Sequence, residues 1–588
     1  MNTPNPLLTK TICRTNCAYA VLFVTLCCLA IMLTPGSSNA AETNYIKKTN
    51  YKFPTASVFV AVDGNNNHSG TIGNPVRTVT RAVEIAKPGD TIVIRAGTYR
   101  ESIGGISKRL NLQPYPNEEV WLKGSHVVSD WTKTESGWRS EKWRSNFCRD
   151  CFDANNLDPG NLAAGLPEQV FVNGLPLKQV QFVHQLDLNS FFVDNGNNTI
   201  TIGKNPSGKR IEVSSYNAAL IVWSGAEGSK IRGLGFAHYS PVAQPGLGST
   251  VKIDAAKIVF ENNTITTSAV KGLEVFAHDV KVVGNRFVRN GMMGLAAWKA
   301  DRLVVTGNQF IENNTEKFAV TGPVSEAAGA KITVSRHLFI TDNEFVGNLA
   351  NGLWLDINVH DANILRNKLE DNERHGIFYE LSSHGRIISN LVINSGLGGI
   401  TIADSNQIDI YNNTLVDNRI GLVIQDDWRE NDDPSEIEIG NTWVSSSISF
   451  ANNFIGTFVK TPNEALIWIR DFEDKRSPNE MLTVLENNQF HRATLTKRPP
   501  LVEWWFNGKP TYFDSSEEFQ NSTGFNANGF STYGIEPDTL FLDWQNGRFE
   551  LKKSSPGWGK ATNFPPTTQK RTGIGIIKPP GIGIFGLR

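Results

Sequence analysis

Residues 284–298 read GNRFVRNGMMGLAAW, residues 342–356 read DNEFVGNLANGLWLD, and residues 366–380 read RNKLEDNERHGIFYE. Aligned, the three share a first asparagine (Asn285, Asn343, Asn367), a second one downstream (Asn290, Asn348, Asn372), and then a glycine (Gly294, Gly352, Gly376). The first asparagine recurs at Asn263, Asn285, Asn308, Asn343, Asn367, Asn390 and Asn413, in steps of 22, 23, 35, 24, 23 and 23 residues. A unit this short buries no face of its own, so the units must stack. An asparagine at one place in every unit can pass amide hydrogen bonds from coil to coil, each worth about 1 kcal/mol net. The spacing predicts an all-β fold, a right-handed parallel β-helix (solenoid).

The stretch after each glycine sets which side chains face inward. Its first and third residues are Leu273 and Val275, Leu295 and Ala297, Ala330 and Ile332, Leu353 and Leu355, Ile377 and Tyr379, Ile400 and Ile402, and Leu422 and Ile424. All but Tyr379 are aliphatic, so strand alternation turns this set inward. The second and fourth residues then form two outward columns. One runs Glu274, Ala296, Lys331, Trp354, Phe378, Thr401, Val423; the other runs Phe276, Trp298, Thr333, Asp356, Glu380, Ala403, Gln425. Lys331, Asp356 and Glu380 fall on three successive coils of one face.

Adjacent parallel strands lie about 4.7–4.9 Å apart, so two carboxylates on consecutive coils of one column stand roughly 5 Å apart. Retaining glycosidases need about 5–5.5 Å between nucleophile and acid/base, inverting ones about 6.5–9.5 Å. Like charges at that distance repel by roughly 3 kcal/mol at an effective dielectric of 20, or about two pKa units. One acid is thereby expected to keep its proton near neutrality while the other ionises, the division of labour in a double displacement. Lys331 offsets part of the repulsion. Trp298, Trp354 and Phe378 are aromatic candidates for sugar stacking, and the residues between Asn313 and Ala328 form a loop expected to wall the cleft. Among the nearby histidines, His360 and His375 read as turn residues and His384, close after Glu380, as a substrate contact.

Residues 1–40 carry Lys10 and Arg14, an apolar run from Ala18 to Met32, and Ser38-Asn39-Ala40, the three-part pattern of a secretory leader cleaved near Ala40. A secreted or periplasmic protein, free of the membrane after cleavage, is expected. Four of the six cysteines lie in that leader; Cys148 and Cys151 remain, and an oxidising compartment favours a local disulfide between them. The 57 basic and 58 acidic residues nearly balance, which gives no reason to expect nucleic acid as partner. Residues 56–115 read as an N-terminal cap with the first coils, including an amphipathic helix over Val76–Ala86 that shields the edge of the solenoid. Residues 116–225 are irregular and hold a small inserted β subdomain over Gln169–Tyr216. Residues 226–500 are the repeat core, and residues 501–588 close the domain and end in a tail, GIGIIKPPGIGIFGLR, with no period and a flexible end expected.

The 59–101 segment together with the asparagine ladder resembles the pectin-lyase-like superfamily of right-handed parallel β-helices. A narrower likeness lies in VFVNGLPLKQV with FFVDNGNNTITIG, in GAKITVS, and in GLWLD followed by the acid of GIFYE. These are similar to the β-helix family of retaining β-xylosidases and its relatives. The resemblance implies Asp356 as nucleophile, Glu380 as acid/base and Lys331 as a subsite residue. The run after Glu380 is ELSSHGR, where that family carries Asn-His-Gly-Pro.

The expected function is therefore a carbohydrate-active β-helix, a retaining glycoside hydrolase acting as a monomer on a polysaccharide or oligosaccharide, with no metal or cofactor. A rival is a polysaccharide lyase or C5-epimerase of uronate polymers, with Lys331 as base, calcium on Asp356 and Glu380, and Arg386 or Arg374 taking the substrate carboxylate; Glu274, two or more coils away, is a candidate substrate contact. Calcium takes six to eight oxygen ligands, and two clear acids are few. A third class is a non-catalytic glycan-binding or adhesive β-helix.

Overall fold

The computed structural model describes residues 45–584, apart from 142, 144–146, 153, 243–247, 323–324, 460–463, 495–498, 566–567, 569–571 and 573–578. The predicted leader lies outside the described residues, as do most of the residues of the tail.

Three sheets of 13 strands each run the length of the molecule, and each coil contributes one strand to each sheet. Nearly all of the pairing within them is parallel, which fixes a solenoid; the last pair of one sheet, Val502–Phe506 with Lys509–Phe513, is antiparallel and closes that end as a hairpin. The asparagine ladder forms as the spacing predicts. Asn343 donates from Nδ2 to Asn367 Oδ1 at 2.9 Å and to Val305 O at 2.9 Å, and its own Oδ1 accepts from the amide of Asn308. The ladder continues past Asn413 through Asn453, Asn488 and Asn526. The second ladder runs Asn290, Asn313, Asn348, Asn372. Inside, the rings of Phe287, Phe310 and Phe345 stack at 4.9 and 4.7 Å.

The acid-bearing sheet includes strands Met293–Trp298, Ala328–Thr333, Asn351–Asp356, Ile377–Glu380, Gly398–Ala403, Ile420–Asp426 and Ile467–Asp471. Their register keeps the expected columns: Ala296, Lys331, Trp354, Phe378, Thr401 in one, and Trp298, Thr333, Asp356 then Glu380, Ala403, Gln425 in the other. Immediately after the second column the chain turns to the next sheet through a left-handed residue on five successive coils: Lys299, Val334, Ile357, Leu381 and Asp404, with φ between 48° and 52°. Such values are rare for side chains branched at Cβ. They hold Asp356 and Glu380 at the last position of their strands, beside a fixed corner.

The helix at the N-terminal end is shorter than predicted, Val79–Ile85, because Thr78 caps it by accepting from the amide of Arg81. The subdomain is larger than Gln169–Tyr216. It begins at Ser125–Val128 and builds a four-stranded and a five-stranded sheet around Phe191, Ile200, Ile202 and Val213. Cys148 and Cys151 are joined by a disulfide. The tail corrects another expectation: Ile582 and Ile584 are buried against Leu391, Phe454 and Leu540, so the described part of it is docked by its apolar side chains. Among the described residues, no helix is long and apolar enough to cross a membrane.

Candidate active site

Asp356 and Glu380 follow directly on the paired residues Leu355 and Tyr379, one strand spacing apart, about 4.8 Å at the backbone. Both are nearly buried, 5% and 8% exposed, so each needs compensation for its charge. Lys331 Nζ sits 2.9 Å from Asp356 Oδ2, over the face of Trp354 at 3.6 Å, and donates to the carbonyl of Ser325 at 3.3 Å. Ser325, in the segment before Ala328, thus reaches Lys331. Trp354 is not an exposed platform. It is 6% exposed, stacks on Phe378 at 5.4 Å and donates from Nε1 to Glu380 Oε2 at 3.0 Å.

Glu380 takes its other partner from a distant loop. Arg429 donates to Glu380 Oε1 at 2.7 Å, to Asp427 at 3.0 Å, and to Asp404. Burial, and next the Asp356 charge, push the Glu380 carboxyl above the ordinary range although Arg429 pulls the other way. Burial alone would lower the Arg429 pKa, yet the carboxylates around it outweigh this and hold the guanidinium firmly charged. Burial also raises Asp404 to about 8 against the pull of Arg429. On the next coil, burial raises Asp426 to about 6; Arg476 faces it at 3.0 Å.

The 427–445 loop is tied to the corner after Asp356. Asn358 Oδ1 accepts from Asn431 Nδ2, Asn441 Nδ2 and Trp443 Nε1 at 3.1, 3.0 and 2.9 Å. Sequence reading missed Arg429, Asp404 and Asp427. A signal was available: the ladder step from Asn413 to Asn453 is 40 residues, which marks a long excursion beside the acids.

Three predicted contacts lie elsewhere. His384 and Arg386 precede and start a strand, Arg386–Ile388, of a neighbouring sheet, because the corner at Leu381 turns the chain away from Glu380. There they line a groove of about 440 Å³ with Gln407, Asp409, Ser447, Ser449, Thr483 and Thr568. The His384 ring lies 4.3 Å from that of His360, tilted by 46°, and Arg386 is buried and ion-paired with Asp361 at 2.6 Å. Glu274 keeps its column but lies coils away, 1% exposed, accepting from Ser249 and paired with Lys271 at 3.3 Å. Its burial takes it out of reach of solvent and of the acid pair. Trp298 remains 44% exposed, two strands from Asp356 in the same column. His375 is a turn residue whose Nδ1 lies 2.7 Å from Thr401 Oγ1; burial lowers it to about 3, so the ring is neutral. Among the described residues, no group of three or more His, Cys, Asp or Glu is arranged to hold a metal ion.

The solenoid is a right-handed parallel β-helix by comparison as well. Residues 249–415 match the family model described as right handed beta helix region, and residues 62–106 match a model for a protein of unknown function, DUF1565. A solved structure titled "The complex structure of XylC with xylose" is similar over 83% of this chain and 88% of that one, with a TM-score of 0.58 and 15% identity. The periplasmic alginate epimerase AlgG is similar over 68% of this chain and 83% of that one, with a TM-score of 0.38 and 14% identity. A curated relative, the uncharacterized protein YwoF of Bacillus subtilis (strain 168), is 34% identical over 77 residues, 12% of this chain and 16% of that protein's length. The likeness to the XylC structure concerns the fold.

Proposed function

We propose that the protein is a carbohydrate-active enzyme exported from the cytoplasm, a retaining glycoside hydrolase with Asp356 as nucleophile and Glu380 as acid/base. The observation that carries this reading is the asymmetry of the pair: one acid is ion-paired with Lys331 at 2.9 Å while burial and its neighbour raise the other. In the first step Asp356 attacks the anomeric carbon, the glycosidic C–O bond breaks, and the proton of Glu380 passes to the leaving oxygen. In the second, Glu380 takes a proton from water, whose oxygen displaces Asp356 from the sugar. The solved structure of similar fold is titled as a complex with xylose, which supports a sugar ligand. The leader pattern of residues 1–40 supports export.

The uronate lyase reading needs Lys331 as a base, but its ammonium is engaged by Asp356, the Trp354 ring and Ser325 O. The test is a panel of aryl glycosides and uronate polymers, with and without chelator, with product anomers followed by NMR. Release of aryl groups with retained configuration, lost in Asp356→Asn and Glu380→Gln, supports the hydrolase. Calcium-dependent absorbance from an unsaturated product would replace it with the lyase, and glycan binding without turnover would leave a binding module.

A further inference from the structure

The acid-bearing column does not end at Gln425. Gln425 pairs with Arg470, and the next coil brings Trp505 to the following place, since Ile469 pairs with Trp504. Arg470 therefore lies three strand spacings beyond Glu380, about 14 Å along the solenoid axis. The turn holding Asp427 and Arg429 follows the strand of Gln425, with Trp428 74% exposed on it.

Around Arg470 the surface is aromatic and organised. Its guanidinium carbon lies 4.6 Å from the Phe472 ring centre and 4.2 Å from that of Trp505. Glu503 Oε1 accepts from the indole N–H groups of both Trp468 and Trp505, which fixes the two rings. Trp468 meets Phe472 edge-on at 5.7 Å, and Phe472 and Phe506 are 46% and 42% exposed. Glu503 is thus engaged by the two indoles. The Nε of Arg470 is buried without a hydrogen-bond partner, and no ion pair engages its guanidinium among the described residues.

We infer that Trp468, Arg470, Phe472 and Trp505 form a second carbohydrate site, one that takes a sugar bearing a carboxylate. Aromatic faces held rigid by a hydrogen-bonded acid offer the apolar side of a pyranose ring a flat surface. The planar guanidinium matches a carboxylate in two-point contact, and stacking pre-orders it for that contact. A neutral glycan would leave this cation uncompensated. The substrate class implied is a uronic-acid-containing glycan; this part of the inference rests on the hydrolase reading, whereas the binding itself does not.

The test uses the full chain carrying Asp356→Asn and Glu380→Gln, so that no probe is turned over. Calorimetric titration with an oligouronate and with its methyl ester is expected to give at least tenfold tighter binding of the acid form, weakened by salt. Arg470→Gln should erase that preference, Arg470→Lys should keep only part of it, and Trp505→Ala should weaken both probes. Equal binding of acid and ester, no binding of either, or a preference unchanged in a folded Arg470→Gln protein would overturn the site. Aryl glycoside release by the unaltered protein is read separately, so loss of the hydrolase reading and loss of this site are distinguishable.

Discussion

Removing the Arg429 cation should move the alkaline limb of the pH–rate profile upward. Arg429 Nη1 lies 2.7 Å from Glu380 Oε1, and opposite charges centred about 4 Å apart attract by about 4 kcal/mol at an effective dielectric of 20. Unscreened, that would lower the Glu380 carboxyl by about three pKa units. The Arg429 side chain is 27% exposed, so solvent screening reduces the effect, and about one unit is expected at Glu380. In a retaining hydrolase the alkaline limb of kcat/KM follows loss of the acid/base proton. Arg429→Gln removes an influence that favours the ionised form, so the limb shifts up by about one pH unit, and Arg429→Lys gives a smaller shift. Asp404 loses its counter-ion in the same variant, but its carboxyl already stands at about 8 and brings no new charge beside Glu380 below that pH. The assay is kcat/KM for an aryl glycoside across pH, with a melting curve to confirm the fold. A limb that stays in place or moves down would refute the assignment of Glu380 as acid/base under Arg429 control.

Asp404 also gives a stability prediction. Its folded carboxyl is raised to about 8 from an unfolded value near 3.9, so the folded state holds the extra proton between the two, and stability falls as pH rises through that window. Asp404→Asn should remove up to one proton from the slope, about 1.4 kcal/mol per pH unit, measured as denaturation midpoints from pH 4 to 8; an unchanged slope would count against it. Asn343→Ala deletes the ladder bonds to Val305, Asn308 and Asn367, at about 1 kcal/mol each. A loss of roughly 4 kcal/mol in denaturant unfolding is expected, and a change under 1 kcal/mol would mean that coil stacking, not the ladder, carries the repeat. Replacing Lys331 and Asp356 together by Met and Leu should abolish turnover while leaving stability unchanged or raised by about 1–4 kcal/mol. A large loss of stability would make the pair structural.

The solenoid was legible because its determinants repeat. Asn285, Asn343 and Asn367 stand at one place in each coil, and alternation after each following glycine separates inward Leu353 and Leu355 from outward Trp354 and Asp356. The corners were not legible. Val334, Ile357 and Leu381 adopt left-handed backbone without the glycine or asparagine that usually announces it. Tertiary packing imposes it, and with it the turn that carries His384 and Arg386 to another face. Outwardness was legible too, whereas exposure was not: Trp354 and Glu274 point away from the solenoid core yet are buried by what lies on the sheet. Arg429 was invisible for a related reason, since it lies in an excursion outside the repeat and no period predicts where such a loop folds back.

The burial of the acid pair bears on its meaning. Two carboxylates on neighbouring strands repel, and each loses hydration in a nearly closed place, so a site selected for stability alone would be better served by apolar side chains of similar volume. Here the cost is met piecemeal. Lys331 comes from the preceding coil, Trp354 turns its indole N–H inward to Glu380 rather than its face outward, and Arg429 is brought from a loop anchored on Asn358, at the corner after Asp356. The compensation is also unequal: burial and the neighbouring carboxylate raise the Glu380 carboxyl, while Lys331 pairs with Asp356. A structural ion pair has no use for that inequality. An acid that must donate a proton, next to one that must attack, requires it.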